Sequence, residues 1–159
     1  MLNGTCERRY SSRYSAYLYP ENKLVKMIRS FTHHDIERIL EIEAQSFPKS
    51  AYNRITFIYF SKLYPDSFLV YEKDEKVCGY IIFDRKNGHI FSIAVDPEYR
   101  RMGMGQALVR WVSRKCDRMW VEVRLSNEVA KAFYKKLGFE KKGVIKGYYG
   151  NEDAWVMVF

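Results

Sequence analysis

A chain of 159 residues, 47% hydrophobic and 29% charged, has the length and composition of one globular domain and can bury roughly two-thirds of its unfolded surface. Lysine and arginine number 27 against 19 acidic residues, a surplus of eight positive charges that favours phosphates, acidic peptides or RNA as partners, although solubility alone accounts for it. No apolar run reaches the ~18 residues of a membrane span, and the first 22 residues lack the apolar stretch of a secretory signal. Cys6, Cys78 and Cys116 have neither disulfide nor metal-ligand spacing and combine with His33, His34 and His89 into no metal site, which points to reduced thiols in the cytoplasm.

Residues 1–22 read as an extension ahead of a domain spanning 24–159. Arg8, Arg9 and Arg13 alternate there with Tyr10, Tyr14, Tyr17 and Tyr19, a mixture suited either to gripping RNA or to packing on its own domain. A strand is expected from Leu24 to Arg29. Thr32 with Asp35 three residues on is a capping-box pattern, and Ile36, Ile39, Leu40, Glu43 and Phe47 recur at helical spacing. Pro48 ends that helix, and Tyr52 to Leu63 reads as a second one. Phe68–Glu72, Val77–Asp84 and His89–Val95 are β-rich runs separated by Asp74-Glu75 and Asn87-Gly88, the pattern of an antiparallel meander. A helix then ends near Lys115, Trp120–Val123 is a central strand, Ser126 or Asn127 caps a helix that Gly138 stops, and two strands near 141–146 and 154–159 finish the chain. The order predicts an α/β fold, a mostly antiparallel mixed sheet flanked by helices.

The segment Arg100-Arg101-Met102-Gly103-Met104-Gly105 joins the run Ile90–Val95 to the helix that opens at Gln106. The first N–H groups of a helix have no partner within it, and the helix dipole makes that end partly positive, so main chain alone can hold an anion there. Two glycines let a phosphate approach closely, and two arginines add charge. A Mg-nucleotide loop would need Lys and Ser or Thr where Gln106-Ala107 stand. A dinucleotide fingerprint would need glycine in place of Leu108.

The stretch Ile93–Gly105 resembles the acetyl-CoA signature of the GNAT N-acetyltransferases, (Arg/Gln)-x-x-Gly-x-(Gly/Ala). Met119–Asn127, Ala132–Phe139 and Tyr148-Tyr149 followed by Glu152-Asp153-Ala154 are similar to the ribosomal-protein, RimI-type branch, so the resemblance covers most of 24–159. It implies a single GNAT domain and direct transfer of acetyl from acetyl-CoA to an amine. By the same resemblance Ile93, Ala94 and Val95 pair with the pantetheine arm, and Val95 N–H polarises the carbonyl. Arg100, Arg101, Met102, Gly103, Met104, Gly105 and Gln106 hold the diphosphate, and Asn127 bonds the arm. The connection ahead of Trp120 is shorter than usual for the family.

Two side chains are expected to carry the chemistry. Tyr134 aligns with the family tyrosine that donates a proton to the departing thiolate and meets the cofactor; a phenol near ~10 suits a thiol near ~8.5. Glu122 aligns with a proposed general base. A carboxylate in an apolar strand is otherwise exposed, paired with Arg124 or another base, or shifted in pKa. Phe47, Pro48, Tyr148 and Tyr149 are implied to line the acceptor groove. An α-amine at ~7.8 is a tenth neutral at pH 7 where a lysine at ~10.4 is almost wholly charged, so a weak base suffices for a protein N-terminus, ribosomal or nascent. A lysine, polyamine or other small amine is the competing acceptor. Glu122 and Glu43 are the acidic residues that a polycation would use. A noncatalytic acyl-CoA-binding or RNA-associated module is the alternative from another class. The sequence leaves monomer or dimer open.

Overall fold

A computed structural model describes residues 14–16 and 27–159. Except for Tyr14–Ala16, the extension 1–22 lies outside the described residues, as does the expected strand start at Leu24. The strands are β1 (Tyr14–Ala16), β2 (Met27–Ser30), β3 (Phe68–Lys73), β4 (Lys76–Phe83), β5 (Ile90–Val95), β6 (Trp120–Arg124), β7 (Glu140–Ile145) and β8 (Ala154–Val158). The helices are α1 (Ile36–Ser46), α2 (Arg54–Leu63), α3 (Met104–Ser113) and α4 (Glu128–Lys136).

The expected meander is present as β3, β4 and β5, antiparallel throughout and extended on its outer side by β2 and β1. Asp74 and Glu75 turn the first hairpin with φ of 50° and 60°, the left-handed pair that a two-residue turn needs to match strand twist. Trp120–Val123 is not central within one sheet. As β6 it is the edge of a second, three-stranded antiparallel sheet ordered β6-β8-β7. The two sheets touch at one parallel bridge, His89 to Trp120, where Trp120 N–H donates to Gly88 O at 3.0 Å. Gly88 is needed there: its φ is 73°, and a Cβ would lie 1.8 Å from Arg118 O. Beyond this bridge β5 and β6 are not paired, so each presents an open backbone edge to the other.

Alternation sends side chains to two cores. Met104, Leu108, Val109 and Val112 of α3 and Tyr134 of α4 pack on Leu69, Ile81, Ile90, Val121, Val123 and Met157. On the other face Ile36, Ile39 and Ile42 of α1 and Phe57 of α2 meet Phe68, Val70, Tyr80, Ile82 and Ala94. Each fully buried aliphatic or aromatic side chain contributes roughly 1.5–3 kcal/mol.

Local chemistry sets the helix starts. Asp35 accepts from Thr32 N–H at 2.7 Å, as the capping pattern predicts, and its carboxylate also meets Arg29 at 2.8 and 2.9 Å. The second helix starts later than the hydrophobic pattern suggests. Asn53 Oδ1 accepts from Thr56 N–H at 3.0 Å and caps α2, leaving Tyr52 in the connection.

Candidate active site

The turn between β5 and α3 is built almost wholly from main chain. Asp96 ends β5 by accepting from Glu98 N–H at 2.9 Å, and its buried carboxylate pairs with Arg38 of α1. Arg101 has φ of 63° and Gly103 of 82°, so the backbone reverses twice before the helix. The first helical bond runs from Ala107 N–H to Gly103 O at 2.9 Å, and no side chain caps α3, which leaves the amides of Met104, Gly105 and Gln106 directed out of the helix end.

The two glycines have different reasons. A Cβ on Gly103 would meet nothing within 4 Å, so only its φ demands glycine, whereas a Cβ on Gly105 would crowd the Phe133 ring of α4 at 3.3 Å. Met104 is 2% exposed, so its side chain belongs to the core and only its N–H is at the turn. Met102 and Arg101 are exposed. Arg100 Nε donates to Val95 O at 2.9 Å, and its guanidinium reaches Ser46 at 3.0 Å, bracing the turn against α1.

The three β5 residues divide in two. Asp96 N–H donates to Cys78 O, and Tyr80 is Ala94's register partner, so Ala94 directs its backbone at β4 and its side chain into the core. The N–H and C=O of Ala94 are therefore turned to β4 and not to the open edge. Ile93 and Val95 are the alternate positions, whose N–H groups face the open edge towards β6.

Across that opening stands Glu122, in the middle of β6 on the face opposite Val121 and Val123. It is not paired with Arg124, which instead meets Glu152 at 3.2 Å and stacks on Tyr149 at 3.9 Å. The partner of Glu122 is His89, Nε2 to Oε2 at 2.6 Å, with side chains 15% and 9% exposed for the histidine and the glutamate respectively. Burial pushes the Glu122 carboxyl up, but its hydrogen bond and electrostatic interaction with His89 outweigh this, with help from the Tyr148 hydroxyl, and hold it below the usual range. His89 stacks on Trp120 with ring centroids 3.9 Å apart and meets Phe91 edge-on.

Sequence reasoning missed His89 as a member of the site. The usable signal is its place just after the Asn87-Gly88 turn, at the start of the strand that leads into the glycine-containing turn at 100–105.

Tyrosines surround the pair. Tyr149 donates its hydroxyl to Glu122 O at 3.2 Å, and Tyr148 packs edge-on against Tyr149 at 4.8 Å. Burial, then the charge of Glu122, pushes Tyr148 up to about 12. Tyr149 is likewise pushed up to about 12, by burial, then Tyr148 and Glu122. Burial, then the charges of Glu43 and Glu122, push the Tyr52 phenol up, so Tyr52 lies within range of both carboxylates. Phe47 itself packs partly into the α1–α2 core, and Pro48 is exposed.

Tyr134 lies on the other side of β6, 3% exposed between Phe133 and Phe139, and burial holds its phenol well above its ordinary value. Asn127 accepts from Ala130 N–H at 3.0 Å, so its oxygen caps α4 and only its amide nitrogen remains for a ligand. Among the described residues no helix is long and apolar enough to cross a membrane.

Comparison with known proteins agrees with this geometry. The acetyltransferase (GNAT) family model matches residues 36–139. The N-alpha-acetyltransferase of Sulfurisphaera tokodaii is 34% identical over 151 residues, covering 82% of this chain and 90% of that protein. Among solved structures, Ard1 from Thermoplasma volcanium superposes with a TM-score of 0.77 at 32% identity over 84% of this chain and 96% of that one. The ribosomal-protein-S18-alanine N-acetyltransferase from Escherichia coli does so at 0.71 and 28% identity, over 84% and 92%. The chain belongs to the GNAT acetyltransferase family and is an N-acetyltransferase.

Proposed function

We propose that the protein transfers the acetyl group of acetyl-CoA to the α-amine of protein N-termini, ribosomal or nascent, in the cytoplasm. The observation that carries this reading is the Glu122–His89 pair at the mouth where the sheets part, framed by Tyr52, Tyr148 and Tyr149. An imidazole oriented by a carboxylate is a proton acceptor suited to an amine that is itself partly neutral near pH 7. The aromatic frame offers rigid area and hydroxyls to a peptide backbone. Relatives named for N-alpha and ribosomal-protein-alanine acetylation support the same acceptor.

A polyamine fits less well. Glu122 is engaged by His89, and Glu43, the other acidic candidate, is 1% exposed and directed inward to Tyr80 and the Tyr52 amide. Of the two acidic candidates, neither leaves a free carboxylate for a polycation.

The residues present fit acetyl-CoA. Unpaired amides at the start of α3, with Arg100 and Arg101 beside them, suit its diphosphate, and the open edge at Ile93 and Val95 suits its amide-bearing arm. Acetyl-CoA supplies a thioester carbonyl for the amine to attack and a thiolate that must be protonated. Val95 N–H faces the opening where a carbonyl oxygen gains charge, a contact worth ~3 kcal/mol of barrier in comparable enzymes. His89 and Glu122 take the proton that the amine gives up. Tyr134, held protonated by burial, keeps a proton for the sulfur.

The test is acetyl transfer to peptides differing in their first two residues, beside spermine and an Nα-blocked lysine peptide. Transfer confined to free α-amines is expected. Transfer only to spermine or to the lysine side chain would reject the reading.

A further inference from the structure

The connection from α1 to α2, which holds Phe47, Pro48 and Tyr52, brings the Tyr52 phenol within range of the Glu122 charge, and it has few internal bonds. Ser50 N–H donates to Phe47 O at 3.0 Å, and Pro48 has no N–H to give. What closes both ends of this connection is one residue. The backbone oxygen of Glu43 accepts from Phe47 N–H at 2.8 Å, and its side-chain Oε1 accepts from Tyr52 N–H at 2.9 Å.

The second carboxylate oxygen turns into the core. It accepts from the hydroxyl of Tyr80 on β4, which is itself 0% exposed and shares a 3.0 Å hydrogen bond with Ser92 Oγ on β5. A carboxyl group 1% exposed is costly to bury, so its retention among Ile39, Ile42 and Phe57 calls for a role. The catalytic pair does not use it, since Glu122 is bonded to His89 and the Tyr148 hydroxyl.

We propose that Glu43 is the positioning residue of the acceptor groove, tying the 47–52 connection through Tyr80 and Ser92 to β4 and β5. This rests on the acetyl-transfer reading for its kinetic consequence, but the tether itself is a property of the fold. The rail that holds the peptide is thereby indexed to Ser92, next to the strand position Ile93 that faces the cofactor side. Glu43 touches neither substrate nor reacting atoms. Its effect passes through the Tyr52 amide and the Tyr52 ring, which edges Phe57 at 6.0 Å and packs on Phe60 at 5.7 Å.

The chemistry separates two variants. Glu43→Gln keeps the tether: its carbonyl accepts the Tyr52 N–H, and its amide donates to the Tyr80 oxygen, whose own proton turns to Ser92. Glu43→Ala removes both acceptors. Tyr80→Phe leaves the Tyr52 bond but frees the carboxylate from its core anchor.

Steady-state kinetics with a peptide whose free α-amine accepts acetyl, together with hydrogen exchange at the Tyr52 amide, test this. In Glu43→Ala the KM for the acceptor is expected to rise about tenfold, with kcat within about twofold and the KM for acetyl-CoA unchanged. Tyr80→Phe is expected to follow in the same direction by a smaller factor, and Glu43→Gln to stay near wild type. The Tyr52 amide is expected to be protected in the wild type and in Glu43→Gln and to exchange faster in Glu43→Ala, while α3 exchanges at the same rate in all three.

A kcat loss in Glu43→Gln would make Glu43 a proton carrier and overturn the proposal. So would an unprotected Tyr52 amide in the wild type, or a parallel rise of both KM values. Should Glu43→Ala not fold, Tyr80→Phe and the wild-type exchange rate decide alone. Hydrogen exchange needs no acceptor, so a wild type inactive on every α-amine peptide would count against the proposed function, while the tether would still stand or fall on the Tyr52 exchange rate.

Discussion

The two ends of the site are made of different material. The proposed cofactor end is six consecutive main-chain units, with two left-handed φ values and an uncapped helix start, beside the open edge of β5. The proposed acceptor end is assembled from side chains of four separate segments, with His89 on the approach to β5, Glu122 on β6, Tyr52 in the α1–α2 connection and Tyr148–Tyr149 after β7. A binding function that every family member shares can be fixed in main chain. A function that must distinguish acceptors lies in replaceable side chains.

This contrast is sharpest in substitutions that separate turnover from cofactor binding. Tyr134→Phe removes a proton donor while keeping the ring in its pocket, and kcat is expected to fall about 100-fold with the KM for acetyl-CoA within twofold. Steady-state kinetics check it, and unchanged turnover would remove the role. His89→Ala breaks the 2.6 Å bond to Glu122 and is expected to cost kcat/KM for a peptide some tens of fold, again without loss of cofactor affinity measured by calorimetry.

The opposite signature is expected at the turn. Gly103→Ala adds a methyl group in open space, so its cost is the left-handed φ of 82° alone, about 1–2 kcal/mol. That strain is expected to weaken acetyl-CoA binding up to about tenfold with kcat at saturation nearly unchanged. Gly105→Ala has a normal helical backbone and a single tight contact, 3.3 Å to the Phe133 ring, so its effect is expected to be smaller and to be relieved by Phe133→Leu in the same chain, read as unfolding temperature.

The smallest effect is one of pH. Burial raises the Tyr134 phenol above its ordinary value and Tyr148 and Tyr149 to about 12, so their protonated forms persist to higher pH than a free tyrosine. Turnover is expected to stay flat between pH 9 and about 10.5, where an ordinary phenol would already be losing its proton. A fall centred near ~10 would mean that the proton donor is a solvent-exposed phenol.

The same contrast explains what could be read from the chain without coordinates. The turn over residues 100–105 is legible because its signal is contiguous, and the helix and strand order follow from periodicity and caps such as Thr32–Asp35 and Asn127. The split into two sheets was not legible, because periodicity marks Trp120–Val123 as a buried strand without saying which neighbour it lacks. His89 was hidden for a related reason. Its partner is 33 residues away, and only the parallel bridge to Trp120 brings the two strands to the same level. Tyr52 was absorbed into a helix by pattern, although the Asn53 cap excludes it and frees its amide for Glu43. For Ala94, only the register with β4 shows that its backbone faces the neighbouring strand while Ile93 and Val95 keep the open edge.

The most direct test is the structure of the protein bound to a conjugate of CoA with an N-terminal peptide. The diphosphate is expected on the amides of residues 103–106 and the peptide's α-nitrogen within one water of the His89–Glu122 pair, with Tyr134 on the sulfur side. A diphosphate bound away from that turn, or a peptide nitrogen remote from both His89 and Glu122, would contradict it.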